Sequence, residues 1–228
     1  MANYREPQWL LPNEKNLAMP ASDATVGSGL AEDRHSLYSM DFDGTGQKIE
    51  ASTLSITGDW SISMWVNTDT TSYQTALQLS SQATTGTQDS IIFVRNTYES
   101  NKWGFYDGST TLLGSVLDTN RWYNLVLTKN GTTYTIFLNG TQEGQSTKLN
   151  INITDLLIGR RSYNGFYFNG EIDEVAIWNR TLSASEITTI YNSGAPGNLI
   201  ALSNKPVAYY PLGEQARRGS EWQFPNEV

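Results

Sequence analysis

Residues 122–129 and 132–139 are two β-rich runs flanking the pair Asn130-Gly131. Glycine takes positive φ freely and asparagine more readily than most residues, so the pair predicts a tight hairpin turn. In the second run Tyr134, Ile136 and Leu138 alternate with Thr133, Thr135 and Phe137, and a second pair, Asn139-Gly140, closes it. Residues 60–67 repeat the pattern, with Trp60, Ile62, Met64 and Val66 on one side and Ser61, Ser63, Trp65 and Asn67 on the other. A period of two over this length predicts strands with one face in a core. Such a chain folds as antiparallel sheet.

The remaining sequence agrees. It has 22 Ser, 25 Thr, 19 Asn, 12 Tyr, 7 Trp and 19 Gly among 228 residues, with only 17% charged, which excludes a helical bundle or coiled coil. So many aromatic rings also exclude a disordered chain. No apolar run reaches the roughly 18 residues that span a membrane, and mean hydropathy is -0.42. A net charge of -8 gives no footprint for a phosphate backbone, so neither nucleic acid nor membrane is an expected partner, though divalent cations are weakly attracted. With no cysteine, thiolate nucleophiles, disulfides and Cys-based metal sites are all excluded. The stretch 1–20 lacks an apolar core, so no secretory leader is expected there.

Three segments follow from the rhythm. Residues 1–36 read as an irregular arm, 37–195 as the β domain, and 196–228 as a tail with one further strand near 207–211. Short β runs at 90–95, 102–107, 156–159 and 171–178 fill the domain. One helix closes it: Ser183 is the N-cap, Glu186 completes a capping box, Leu182 and Ile187 form a staple, and Gly194 is the expected stop. The tail also echoes the arm. Trp9-Leu10-Leu11-Pro12-Asn13-Glu14 recurs as Trp222-Gln223-Phe224-Pro225-Asn226-Glu227, with Arg5 and Arg218 at the same offset, which suggests one unit of a tandem array.

Several ordered motifs point further. They are Phe42-Asp43-Gly44, the strand from Trp60 to Val66, Arg121-Trp122-Tyr123-Asn124-Leu125-Val126, Phe137-Leu138-Asn139-Gly140, Leu157-Ile158-Gly159, and Gly170-Glu171-Ile172-Asp173-Glu174-Val175 before Leu182-Ser183-Ala184-Ser185-Glu186-Ile187. In this order they resemble the laminin-G-like, concanavalin A-like lectin/glucanase domain. The resemblance implies an all-β fold: a two-sheet antiparallel jelly-roll β-sandwich with one short C-terminal helix. In that family a segment like Val207-Ala208-Tyr209-Tyr210-Pro211-Leu212 commonly starts a domain, so here it is expected to begin a second copy. Such arrays are similar to those of tailed-phage structural proteins and bacterial surface proteins. The expectation is thus a non-catalytic structural or adhesive module on the exterior of a virion or cell, its arm and tail contacting other structural subunits or copies of itself. A glycan-binding lectin domain is the alternative.

Candidate chemistry is sparse. Glucanases of similar architecture carry a Glu-Ile-Asp-x-Glu strand with two catalytic glutamates; here Glu171-Ile172-Asp173 matches, but Val175 replaces the second glutamate. Retaining hydrolysis needs two carboxyls about 5–5.5 Å apart, so no enzyme is expected. The only histidine, His35, lies in the arm, far from any nucleophile elbow. Asp41 and Asp43, one face of a strand, could hold a structural calcium ion if Asp173 joined them, or could simply cap a turn. Finally, Tyr163, Asn164, Phe166, Tyr167 and Asn169 form an aromatic loop behind Arg160 and Arg161. Flat rings, amides and guanidiniums suit a sugar face, while the same rings could instead cover the sandwich rim or a neighbouring subunit.

Overall fold

The computed structural model describes residues 3–5, 39–80, 90–96, 102–161, 166–212, 217–218 and 222–223. His35, the Trp9-to-Glu14 copy of the echo and Pro225-Asn226-Glu227 lie outside them. In chain order the first strands are β1 (Asn3–Arg5), β2 (Ser39–Asp43), β3 (Ile49–Ile56), β4 (Trp60–Thr68), β5 (Gln74–Ser80) and β6 (Ser90–Asn96). Next come β7 (Lys102–Tyr106), β8 (Thr111–Val116), β9 (Trp122–Asn130), β10 (Thr133–Leu138), β11 (Thr141–Thr147), β12 (Ile153–Ile158) and β13 (Asn169–Trp178). After helix α1 (Ala184–Tyr191) the chain adds β14 (Ala208–Tyr210) and a small ribbon of β15 (Arg217–Arg218) with β16 (Trp222–Gln223).

One sheet runs β1-β2-β13-β4-β9-β10-β11, with β14 also paired to β13, and the other runs β3-β12-β5-β6-β7-β8. The two face each other as an antiparallel sandwich, as the period-two pattern requires. Trp60, Ile62, Met64 and Val66 enter the shared core with Phe42, Phe105, Tyr134, Ile136, Phe168 and Ile177. Trp60 and Tyr134 keep their polar ends bonded there, Trp60 Nε1 to Ile151 O at 2.9 Å and Tyr134 Oη to Leu149 O at 2.8 Å. Along one side Glu143 of β11 accepts from Trp103 Nε1 at 2.7 Å and from Ser115 N at 3.0 Å, tying the two sheets together.

The outer face of β4 is buried as well, which its alternation did not suggest. Leu182, Ile187 and Ile190 of the α1 region cover Val126, Ala176 and Trp178 in a second cluster. Ser61 survives burial because its hydroxyl donates to Arg180 O at 2.9 Å and accepts from Leu182 N at 2.9 Å. Trp65 stacks on Tyr191, ring centroids 5.9 Å apart.

Two local expectations are revised. Asn130 pairs with Thr133, so Gly131 (φ +58°) and Thr132 make the first turn rather than Asn130 and Gly131; Asn139 and Gly140, both at positive φ, do form the second. The helix has its capping box at Ser183 and Glu186, but left-handed Asn192 ends it before Gly194 is reached. The tail strand β14 pairs with Val175–Ile177 of β13, and Ala208, Tyr210 and Leu212 lie in the shared core. Within the arm, Asn3–Arg5 pairs with Ser39–Asp41 of the chain's own sheet.

Candidate functional site

At the end of β12 the chain turns through Gly159 at φ +87°, where any Cβ would meet Phe42 at 2.2 Å. Gly159 N donates to Ala76 O at 2.8 Å, and Phe168 N donates to Gly159 O at 2.8 Å. Thr75 N donates to Phe166 O at 2.9 Å, and Asn169 N to Gln74 Oε1 at 2.7 Å. These bonds draw 166–169 across the sandwich rim before it enters β13. They set the side chains in fixed directions.

Phe168 goes inward, edge-on to Phe42 at 6.2 Å. Phe166, at φ +50°, turns onto Tyr73 at 4.5 Å, and Tyr73 stacks on Phe93 at 5.9 Å. Tyr167 is half-buried and faces outward, with the Arg160 guanidinium 5.4 Å from its ring centroid. Arg160 Nε also donates to Arg161 O at 3.2 Å. Behind Tyr167 lies the turn 43–47: a Cβ on Gly46 would stand 3.7 Å from Tyr167 Cε1, and one on Gly44 would stand 3.1 Å from Asn169 Cβ.

That turn is built around Asp43. Its Oδ1 accepts from Thr45 N at 2.8 Å and Thr45 Oγ1 at 2.6 Å, its own N–H donates to Gln47 Oε1 at 2.6 Å, and the Thr45 hydroxyl holds the carboxyl below its usual range. Of the residues expected to bind ligand, the fold therefore gathers Arg160, Tyr167 and Asn169 on one shelf, with Arg161 half-buried beside them. Phe166 is used to pack the rim, and Tyr163 and Asn164 lie outside the described residues. Sequence reading missed the contribution of Gln47, while Asp43-Gly44-Thr45-Gly46 is a recognisable turn signature that could cap Asp43.

The proposed cation set is not assembled. Register puts Glu171, not Asp173, across from Asp41. Asp173 is fully buried, accepting from Glu174 N at 2.8 Å, and Asp43 is committed to its turn. Among the described residues no three His, Asp or Glu side chains converge on a point suited to a metal ion.

Glu171, the matching acid of the glucanase-like strand, is held by neutral neighbours. Ser39 Oγ donates to its Oε1 at 3.0 Å and Asn67 Nδ2 to its Oε2 at 3.1 Å, pinning it to the sheet surface. Asp41 is its direct cross-strand neighbour. Val175 is in the core, and Glu174, at φ +52° in a bulge of β13, accepts from the Tyr209 hydroxyl of β14. A cavity of about 210 Å³ lies elsewhere, between α1 and Leu202–Asn204, over the Arg180–Glu186 ion pair.

A family model described as Laminin_G_3, the concanavalin A-like lectin/glucanases superfamily, matches residues 43–188. No curated protein matches the chain. Among solved structures, it is similar to a candidate carbohydrate-binding protein from Bacteroides ovatus, at 18% identity and TM-score 0.61, covering 82% of this chain and 54% of that one. It is also similar to a heptameric SAP-like pentraxin from Limulus polyphemus, at 10% identity and TM-score 0.57, covering 82% and 90%. A third likeness is to domain 4 of AbnA, an extracellular GH43 arabinanase from Geobacillus stearothermophilus, in complex with arabinotriose, at 18% identity and TM-score 0.56, covering 70% and 79%. At these identities the likeness is one of fold. The chain spans about half the length of the Bacteroides protein.

Proposed function

The chain belongs to the concanavalin A-like lectin/glucanases superfamily, and on that footing we propose that it is a non-catalytic glycan-binding module. The observation that carries this reading is the rim shelf, where a half-buried Tyr167 ring, the Arg160 guanidinium over it and Asn169 sit on a segment held by hydrogen bonds to β5 and to Gly159. A ring beside fixed donors matches a pyranose, which offers an apolar face and a rim of hydroxyls. Two of the similar folds support the same reading, since one is a candidate carbohydrate-binding protein and the other holds arabinotriose. Such a module serves adhesion on the exterior of a virion or cell, where glycans are met.

The non-catalytic part rests on Glu171, whose strand supplies no opposing acid. A glycan array probed with the full chain, followed by titration of the best hit, tests the proposal. Tyr167→Ala is expected to weaken binding about threefold to tenfold, given the roughly 0.5–1.5 kcal/mol of an aromatic contact beyond its buried area, with the melting temperature nearly unchanged. Unaltered binding by that variant would overturn the assignment.

A further inference from the structure

Resting on that reading of the rim, we infer that the sugar it selects carries a carboxylate, received by Arg160. The guanidinium is already aimed. Its Nε is spent on Arg161 O and its plane lies over Tyr167, so rotation of the side chain is restricted before any ligand arrives. The two terminal nitrogens have no hydrogen bond or ion pair among the described residues.

Three other cations of the fold are ion-paired. Lys48 is paired with Glu50, Arg180 with Glu186 and Arg121 with Asp118. The chain has 23 acidic residues against 15 basic ones, so carboxylates to neutralise Arg160 are not scarce. Asp43, in the turn behind Tyr167, is directed into its own loop by Thr45. An ordered guanidinium whose terminal donors are open among the described residues is a fork for two coplanar oxygens, the geometry of a carboxylate. A sulfate ester can also offer two oxygens to such a fork, so it serves as the comparison. The net charge of -8 does not oppose this at physiological salt, because charges beyond about 8 Å are screened whereas a hydrogen-bonded pair is not.

The test titrates the full chain with trigalacturonic acid and with its methyl ester, then with sialyllactose and lactose, and finally with a sulfated galactose trisaccharide. At least one acid is expected to bind about tenfold or more tighter than its neutral partner. Arg160→Gln should erase that preference, and Arg160→Lys should recover only part of it because an ammonium cannot make the fork. Equal affinity for acids and neutral partners, unmoved by Arg160→Gln, overturns the inference and leaves the glycan-binding reading standing. Tighter binding of the sulfated sugar also overturns it. Failure of every sugar, neutral ones included, removes both.

Discussion

Arg180 grips Glu186 with two nitrogens, at 3.0 and 2.6 Å, and this contact is the main reason the carboxyl falls from its ordinary 4.5 to about 2. A carboxyl depressed in the folded state contributes stability that is complete above its ordinary value and disappears as pH falls through the lowered one. Denaturant midpoints should therefore decline between about pH 4.5 and 2, and Arg180→Gln should flatten that decline. Tyr134 behaves oppositely. Burial, above all, raises its hydroxyl from 10 to about 12, so its contribution holds below pH 10 and is lost as pH climbs through 12. The same hydroxyl bridges Leu149 O and Ile151 N. Tyr134→Phe is expected to cost on the order of 1–3 kcal/mol in urea unfolding, because two buried backbone groups lose their partner.

Among the elements, β13 organises the most. It pairs with β4 along one side and with β2 and then β14 along the other, and the bulge at Asp173–Glu174 separates those two partners. Gly170 lets it pass, at φ +136° and with room for no side chain, since a Cβ would lie 2.1 Å from Asn67 O. Gly170→Ala should lower stability by about 2–4 kcal/mol in the same urea assay, the sum of backbone strain and overpacking. Not every such detail could be read from the chain. The β9–β10 turn is displaced from the Asn-Gly pair because sliding a strand by two residues keeps each side chain on its face, so alternation cannot distinguish the two registers. A distant contact favours the observed one: Gly131 N donates to Asp59 Oδ1 at 2.7 Å. Capping at Ser183 was legible because the box is local, spanning three residues.

For the whole molecule, the sandwich followed from period-two runs such as 60–67, while the place of β14 did not. Its partner strand β13 is some thirty residues away, and nothing local marks Tyr209 as the donor to Glu174. The shelf was legible in the same partial way. Arg160, Tyr167 and Asn169 stand out in sequence, but the role of Phe166 depends on Tyr73, which only the sandwich brings near. The placement of the acids has two consequences at this scale. Incubation with glycans should release no new reducing ends, and Glu171→Gln should leave binding unchanged. Because Asp41, Asp43 and Asp173 do not converge, a chelator should shift neither affinity nor melting temperature.

Hydrogen exchange on the full chain, with and without its best-bound glycan, locates the contact surface directly. Slowed exchange at residues 159–161 and 166–169, with the 43–47 turn, is the predicted result. Protection confined to α1 and Leu202–Asn204, leaving the Arg160–Tyr167 shelf as fast as in the free protein, would contradict it.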